Sequence, residues 1–126
     1  MDTLSNFALP GILLLLTLGF GFWVSRSGRP YNGLLFNVHK LAALAMVIVI
    51  GIKIVPVLKP VQPQPLVISL LAAAGLCAVA LFVTGALMSI GRLPDRLTLA
   101  VHRAALILLP PAMAAALYLL GIEGQA

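Results

Sequence analysis

The chain has 126 residues and a formal net charge of +5, with 62% hydrophobic but only 9% charged residues. A soluble globular domain is typically about 25% charged, so this composition excludes that class. The basic residues flank long apolar segments, which argues for a lipid bilayer and against nucleic acid as the partner of the positive charge.

Four apolar segments are each long enough for a transmembrane helix, which needs about 20 residues. The helices are predicted at residues 6–25, 32–56, 66–90 and 97–121. The first segment is expected to be a retained helix, because its start carries Asp2 and no base where a signal peptide would be basic. The sequence predicts an all-α membrane protein: one transmembrane domain over residues 1–126, folded as a four-helix up-down bundle.

The turns before the second and fourth segments, together with the first residues of these segments, share the string G-R-x4-L-x3-V-H-[KR]-x-A. It aligns without a gap from Gly28 to Ala42 and from Gly91 to Ala105. This internal repeat divides the chain into residues 1–60 and 64–126, two helical hairpins joined by a proline-rich connector. Parallel repeats are related by an axis along the membrane normal. The histidines of the two strings are therefore expected to face one another at one depth.

His39 and His102 are the only histidines, and each lies in an apolar segment where a polar group is costly. Haem iron takes two axial ligands on opposite faces, and neutral imidazole is a common one. The pair predicts one haem b with His39 and His102 as metal ligands, and no catalytic residue. The alternative is two structural histidines that donate to backbone carbonyls of neighbouring helices.

Small residues near the histidines are expected to give a porphyrin room, although close helix packing also explains them. They are Gly19, Gly21, Gly85, Ala42, Ala43 and Ala105. Basic residues toward the same membrane face are expected to steady the haem propionates, the alternative being snorkelling to lipid phosphate. They are Lys40, Arg103, Arg29 and Arg92. Met46 and Met113 are expected to fill the core rather than to bind iron.

The basic residues cluster around the first and third loops, which the positive-inside rule assigns to the cytoplasm. We therefore expect a multi-pass protein of the bacterial inner membrane with both termini in the periplasm.

The intramembrane Val-His-Lys and Val-His-Arg strings, the Gly-Arg turns and the helix glycines resemble those of small membrane b-type cytochromes, which include the cytochrome b561-like and ferric-reductase-like four-helix cores. The resemblance covers the whole chain and is architectural. It implies an electron-transport subunit, an oxidoreductase component rather than a stand-alone enzyme. The partners that it implies are quinone, ascorbate or a redox subunit. Ligation of haem by two copies of the chain stays open as an alternative. Many such proteins carry four histidines and two haems, whereas two histidines suffice for one.

Two other functions fit the sequence. One is a haem-free structural or accessory subunit in which the histidines make hydrogen bonds between helices. The other is a small transporter, which the lack of a mid-membrane acidic residue makes the weaker alternative.

Overall fold

The computed structural model describes residues 3–59, 62–91 and 95–123, and these residues form an all-α fold. Within them four helices run Thr3–Arg26 (α1), Gly33–Leu58 (α2), Pro65–Ile90 (α3) and Asp95–Glu123 (α4). Each of the four contains a segment long and apolar enough to cross a membrane. The predicted fold class, an all-α protein with four membrane-length helices, is confirmed.

Local sequence explains three helix ends, the start of α2 and both ends of α3. Asn32 caps α2, because its side-chain oxygen accepts hydrogen bonds from the backbone N–H of Leu34 and Leu35 at 3.0 and 3.3 Å. Pro65 occupies the first turn of α3, where its missing N–H costs nothing. Gly91 ends α3 in a left-handed conformation with φ of 67°, which glycine adopts without a Cβ penalty.

The chain divides into two compact units, Met1–Pro56 and Val57–Ala126. The first unit holds α1 and most of α2, and the second holds α3 and α4. The division falls at the start of the proline-rich connector, so each unit corresponds to one copy of the sequence repeat.

In the first unit the buried residues follow helical stripes. Pro10, Thr17 and Val24 are buried at heptad spacing on α1. On α2, Phe36 and Met46 are buried and His39 lies between them, three residues after Phe36 on the same stripe. This spacing directs the imidazole of His39 toward the inside of the unit rather than toward lipid.

In the second unit α3 packs against α4 through small side chains. Ala74 and Ala116 are almost completely buried, and Thr84 and Ala105 are 6% exposed. Small residues let helix backbones approach closely, which is the usual source of helix association in a membrane.

The outward-facing side chains are largely apolar. Leu34 is 75% exposed and Leu76 is 72% exposed, and many other large aliphatic side chains are also open to the surroundings. Apolar surface on this scale is costly in water but favourable in hydrocarbon. The exposed faces therefore fit a lipid bilayer.

Candidate functional site

In the first unit, His39 of α2 lies against α1. Its Nδ1 is 2.9 Å from the backbone carbonyl oxygen of Thr17. The ring also lies directly over Gly21, where a Cβ would be only 2.9 Å from the Cε1 atom of His39. The missing side chain at position 21 therefore lets the imidazole reach the α1 backbone.

In the second unit, His102 of α4 lies against α3 through a side chain instead. Its Nδ1 is 2.8 Å from the Oγ1 atom of Thr84. The same hydroxyl is 2.6 Å from the carbonyl oxygen of Ala80 and 3.2 Å from that of Leu81. Thr84 thus bridges the imidazole to the α3 backbone.

In both hairpins the hydrogen-bonded path from the histidine ends at a backbone carbonyl, and the two carbonyls occupy equivalent positions of the repeat. The gap-free alignment that pairs His39 with His102 also pairs Thr17 with Ala80, whose carbonyls end the two hydrogen-bonded paths. It pairs Gly21 with Thr84 as well. The first hairpin therefore makes directly, over a glycine, the connection that the second hairpin makes through a threonine hydroxyl.

This hydrogen bonding sets which ring nitrogen carries the proton. A carbonyl oxygen can only accept, so Nδ1 of His39 must be the donor to Thr17. The Thr84 hydroxyl has one proton, which the 2.6 Å contact directs to the Ala80 carbonyl. With that proton engaged, the hydroxyl oxygen is placed to accept a hydrogen bond from Nδ1 of His102 at 2.8 Å. In a neutral imidazole the Nε2 of each histidine then carries a lone pair and can act as a metal ligand.

The small residues predicted near the histidines lie in different places. Gly21 lies against the ring of His39, and a Cβ at Gly85 would be 3.9 Å from the Cε1 atom of His102. Gly19 is exposed and lies about 200° around α1 from Gly21, because successive residues are about 100° apart. The structure thus brings Gly21 and Gly85, but not Gly19, together with the histidines.

The alanines that follow the histidines lie one turn further along their helices. Ala42 and Ala43 are half-buried after His39, and Ala105 is buried after His102. Their methyl side chains add little bulk to the helix surface next to each imidazole.

The predicted basic residues of the first unit are held by aromatic rings. The Nζ atom of Lys40 lies 4.6 Å from the centre of the Phe36 ring, one turn toward the start of α2. The Nε atom of Arg29 donates to the hydroxyl of Tyr31 at 3.3 Å. The Lys40 side chain therefore extends toward the same end of α2 as Arg29.

Of the corresponding residues in the second unit, Arg103 is exposed on α4. Arg92 lies outside the described residues.

Sequence reasoning missed Thr17 and Thr84. The Thr17 contribution is a backbone carbonyl, which no side-chain pattern marks. Thr84 had a signal, because it is a polar residue inside an apolar helix at about the distance from the turn at which His102 lies. Intramembrane polar side chains usually hydrogen-bond across helices.

Within the described residues, no group of three or more His, Cys, Asp and Glu side chains lies close enough to hold a metal ion together. No protein-family model, curated protein or solved structure matches the chain.

Proposed function

We propose that the protein is a membrane electron-transfer subunit that binds one haem b through His39 and His102 as axial ligands. The observation that supports this proposal most strongly is that Nδ1 of each histidine lies within hydrogen-bonding distance of an oxygen atom on the neighbouring helix, the Thr17 carbonyl for His39 and the Thr84 hydroxyl for His102. Metal-ligating histidines almost always donate their other ring nitrogen in this way. The histidine nitrogens of the two hairpins are therefore suitable ligands for haem iron.

The residues of the chain would hold and orient the cofactor. The Thr17 carbonyl and the Thr84 hydroxyl fix the ring planes and raise the basicity of the ligating nitrogens. Bound haem supplies one-electron exchange, since two nitrogen ligands leave no iron position for oxygen or substrate. The apolar helices keep water from the ligands, which strengthens the electrostatic interactions around them.

Basic side chains near one end of the helices would pair with the propionates. Lys40 and Arg29 serve the first hairpin, and Arg103 and Arg92 serve the second. Lys40 supports this role because its amino group already extends toward the helix start. Gly21 and Gly85, with the alanines after the histidines, would leave room for the macrocycle, whereas Gly19 lies on another face of α1.

The proposed setting is the bacterial inner membrane, with the basic loops cytoplasmic and the termini periplasmic. One haem cannot form a two-haem path across the bilayer. Electrons would therefore pass to or from quinone or a partner redox subunit, and the chain would act as a component of an oxidoreductase.

The test is visible absorption of the protein purified from cells supplied with haem. We expect a six-coordinate b-type spectrum in the oxidised and reduced protein. His39→Ala and His102→Ala should each abolish that spectrum. Wild-type protein that purifies folded and colourless would refute the proposal.

Two controls keep the histidine variants interpretable. His39→Gly with free imidazole in the buffer should recover the six-coordinate spectrum, which a merely unfolded variant would not do. Met46→Leu and Met113→Leu should keep the spectrum, because both methionines are expected to be core residues. A methionine variant that loses one axial ligand would assign that ligand to sulfur instead.

A haem-free accessory subunit is the second candidate. The observation in its favour is that His39 joins α2 to α1 and His102 joins α4 to α3, each through a hydrogen bond. This structural role needs only the Nδ1 atom of each histidine and no bound iron. A folded, colourless wild type whose stability falls in both alanine variants would support it.

A further inference from the structure

The two histidines are anchored by chemically different groups. The anchor of His39 is a backbone carbonyl, which no side-chain substitution removes. The anchor of His102 is the Thr84 hydroxyl, which a single substitution removes. The symmetry of the sequence repeat therefore does not extend to the groups that hold the rings.

The Thr84 hydroxyl is well placed to control His102. It lies in a side chain that is 6% exposed, so water has little access to replace it. It donates to Ala80 at 2.6 Å while it faces Nδ1 of His102 at 2.8 Å. A hydroxyl that donates to a carbonyl becomes polarised and is a better acceptor.

We propose that Thr84 is the positioning residue of the second hairpin: its hydroxyl fixes the Nδ1–H form of His102 and thereby sets how strongly that histidine binds ferric haem. The part concerning haem rests on the proposed function, whereas the part concerning the proton form does not. Hydrogen bonding to a ligand's second nitrogen is one of the main ways in which a protein tunes haem.

Thr17 provides a matched control. Like Thr84, it is buried and its hydroxyl donates to the carbonyl four residues earlier, at 2.7 Å from Leu13. The His39 contact uses the Thr17 carbonyl and not its hydroxyl. Thr17→Val and Thr84→Val therefore remove the same kind of group from similar local settings, but only Thr84→Val removes a hydroxyl that contacts a histidine.

The first measurement uses the full chain without haem in detergent micelles. Nitrogen-15 NMR of the imidazoles, assigned with the two histidine-to-alanine variants, identifies the protonated ring nitrogen. We expect both histidines in the Nδ1–H form in the wild type and in Thr17→Val. In Thr84→Val, His102 should lose this form while His39 keeps it. An unchanged proton form of His102 in Thr84→Val would overturn the proposal.

The second measurement is haem titration and redox potentiometry of the same variants. Thr84→Val should weaken haem binding about 10–100-fold, the usual effect of losing such a hydrogen bond. The loss should be larger for ferric haem, and each tenfold difference raises the midpoint potential by about 59 mV. Thr84→Ser, which keeps the hydroxyl, should restore both values.

These outcomes separate the two proposals. A wild type that binds no haem refutes the proposed function, while the NMR result still decides whether Thr84 fixes the proton form. Haem binding that is equal in Thr84→Val and wild type refutes the role of Thr84 and leaves the proposed function standing.

Discussion

Replacing Gly21 with alanine should selectively disturb the His39 contact. The added methyl group would lie 2.9 Å from Cε1 and 3.2 Å from Nδ1 of the imidazole. Carbon atoms prefer a separation of about 3.5–4.0 Å, so the ring must move by about 0.6 Å. Movement away from α1 lengthens the 2.9 Å hydrogen bond to Thr17 beyond the range in which such bonds form.

The loss of stability caused by the disturbed His39 contact can be isolated by comparing Gly21→Ala with Gly19→Ala on the same helix. A methyl group at Gly19 would meet nothing within 4 Å. Both substitutions gain about the same helix propensity, roughly 0.5–1 kcal/mol, so this term cancels in the comparison. Leaving a fully buried donor unsatisfied costs about 1–3 kcal/mol. His39 is half-buried, so we expect Gly21→Ala to be less stable than Gly19→Ala by about 1 kcal/mol, the lower end of that range.

The assay is unfolding of the full chain in detergent micelles, by heat or by denaturing detergent, with nitrogen-15 NMR of His39 as a local readout. Gly21→Ala should be less stable than Gly19→Ala and should lose the Nδ1–H signature of His39. Gly85→Ala is a second control, because its methyl group would make only an ordinary 3.9 Å contact with His102. Equal stability of Gly21→Ala and Gly19→Ala would refute the reasoning.

Three further predictions concern the proposed haem subunit. Co-expression of the two histidine-to-alanine variants should yield no b-type spectrum if one chain supplies both ligands, and a recovered spectrum would assign the ligands to two copies. Lys40→Gln should weaken haem binding in titrations by up to about fivefold, the value of an exposed ion pair, whereas Lys53→Gln near the other end of α2 should not change it. A cysteine at Ser27, in a Cys77→Ala background, should react with a membrane-impermeant thiol reagent only from the cytoplasmic side, and labelling from the periplasm would reverse the proposed topology.

The helices could be predicted from sequence because membrane helices leave a strong signal. The apolar runs predict all four helices, and Asn32, Pro65 and Gly91 mark three of the eight helix ends through local roles that need no tertiary contact. The observed helices start or end up to three residues beyond the predicted ranges, as for α1, which begins at Thr3 rather than at residue 6. Helix ends extend past the apolar run because polar residues are tolerated near the interface.

The candidate site could be predicted only in part. The repeat identified His39 and His102 as an equivalent pair, but equivalence in sequence does not give the bonding partner. Gly19 and Gly21 are both expected near the histidines, whereas the helical period places them on different faces of α1. The partner of His39 is a main-chain atom, and the partner of His102 depends on which face of α3 meets α4. Both depend on packing, which composition and spacing do not determine.

The equivalent acceptor carbonyls of Thr17 and Ala80 bear on how a duplicated hairpin can diverge. One helix position, occupied by glycine in one half and by threonine in the other, changes the contact from direct to bridged while the histidine and the backbone path stay the same. A substitution at this position can therefore change the group that bonds the histidine even when the positions of the two helices do not change. Related hairpins are expected to carry either glycine or a hydroxyl residue opposite the histidine, and larger aliphatic residues should be rare there.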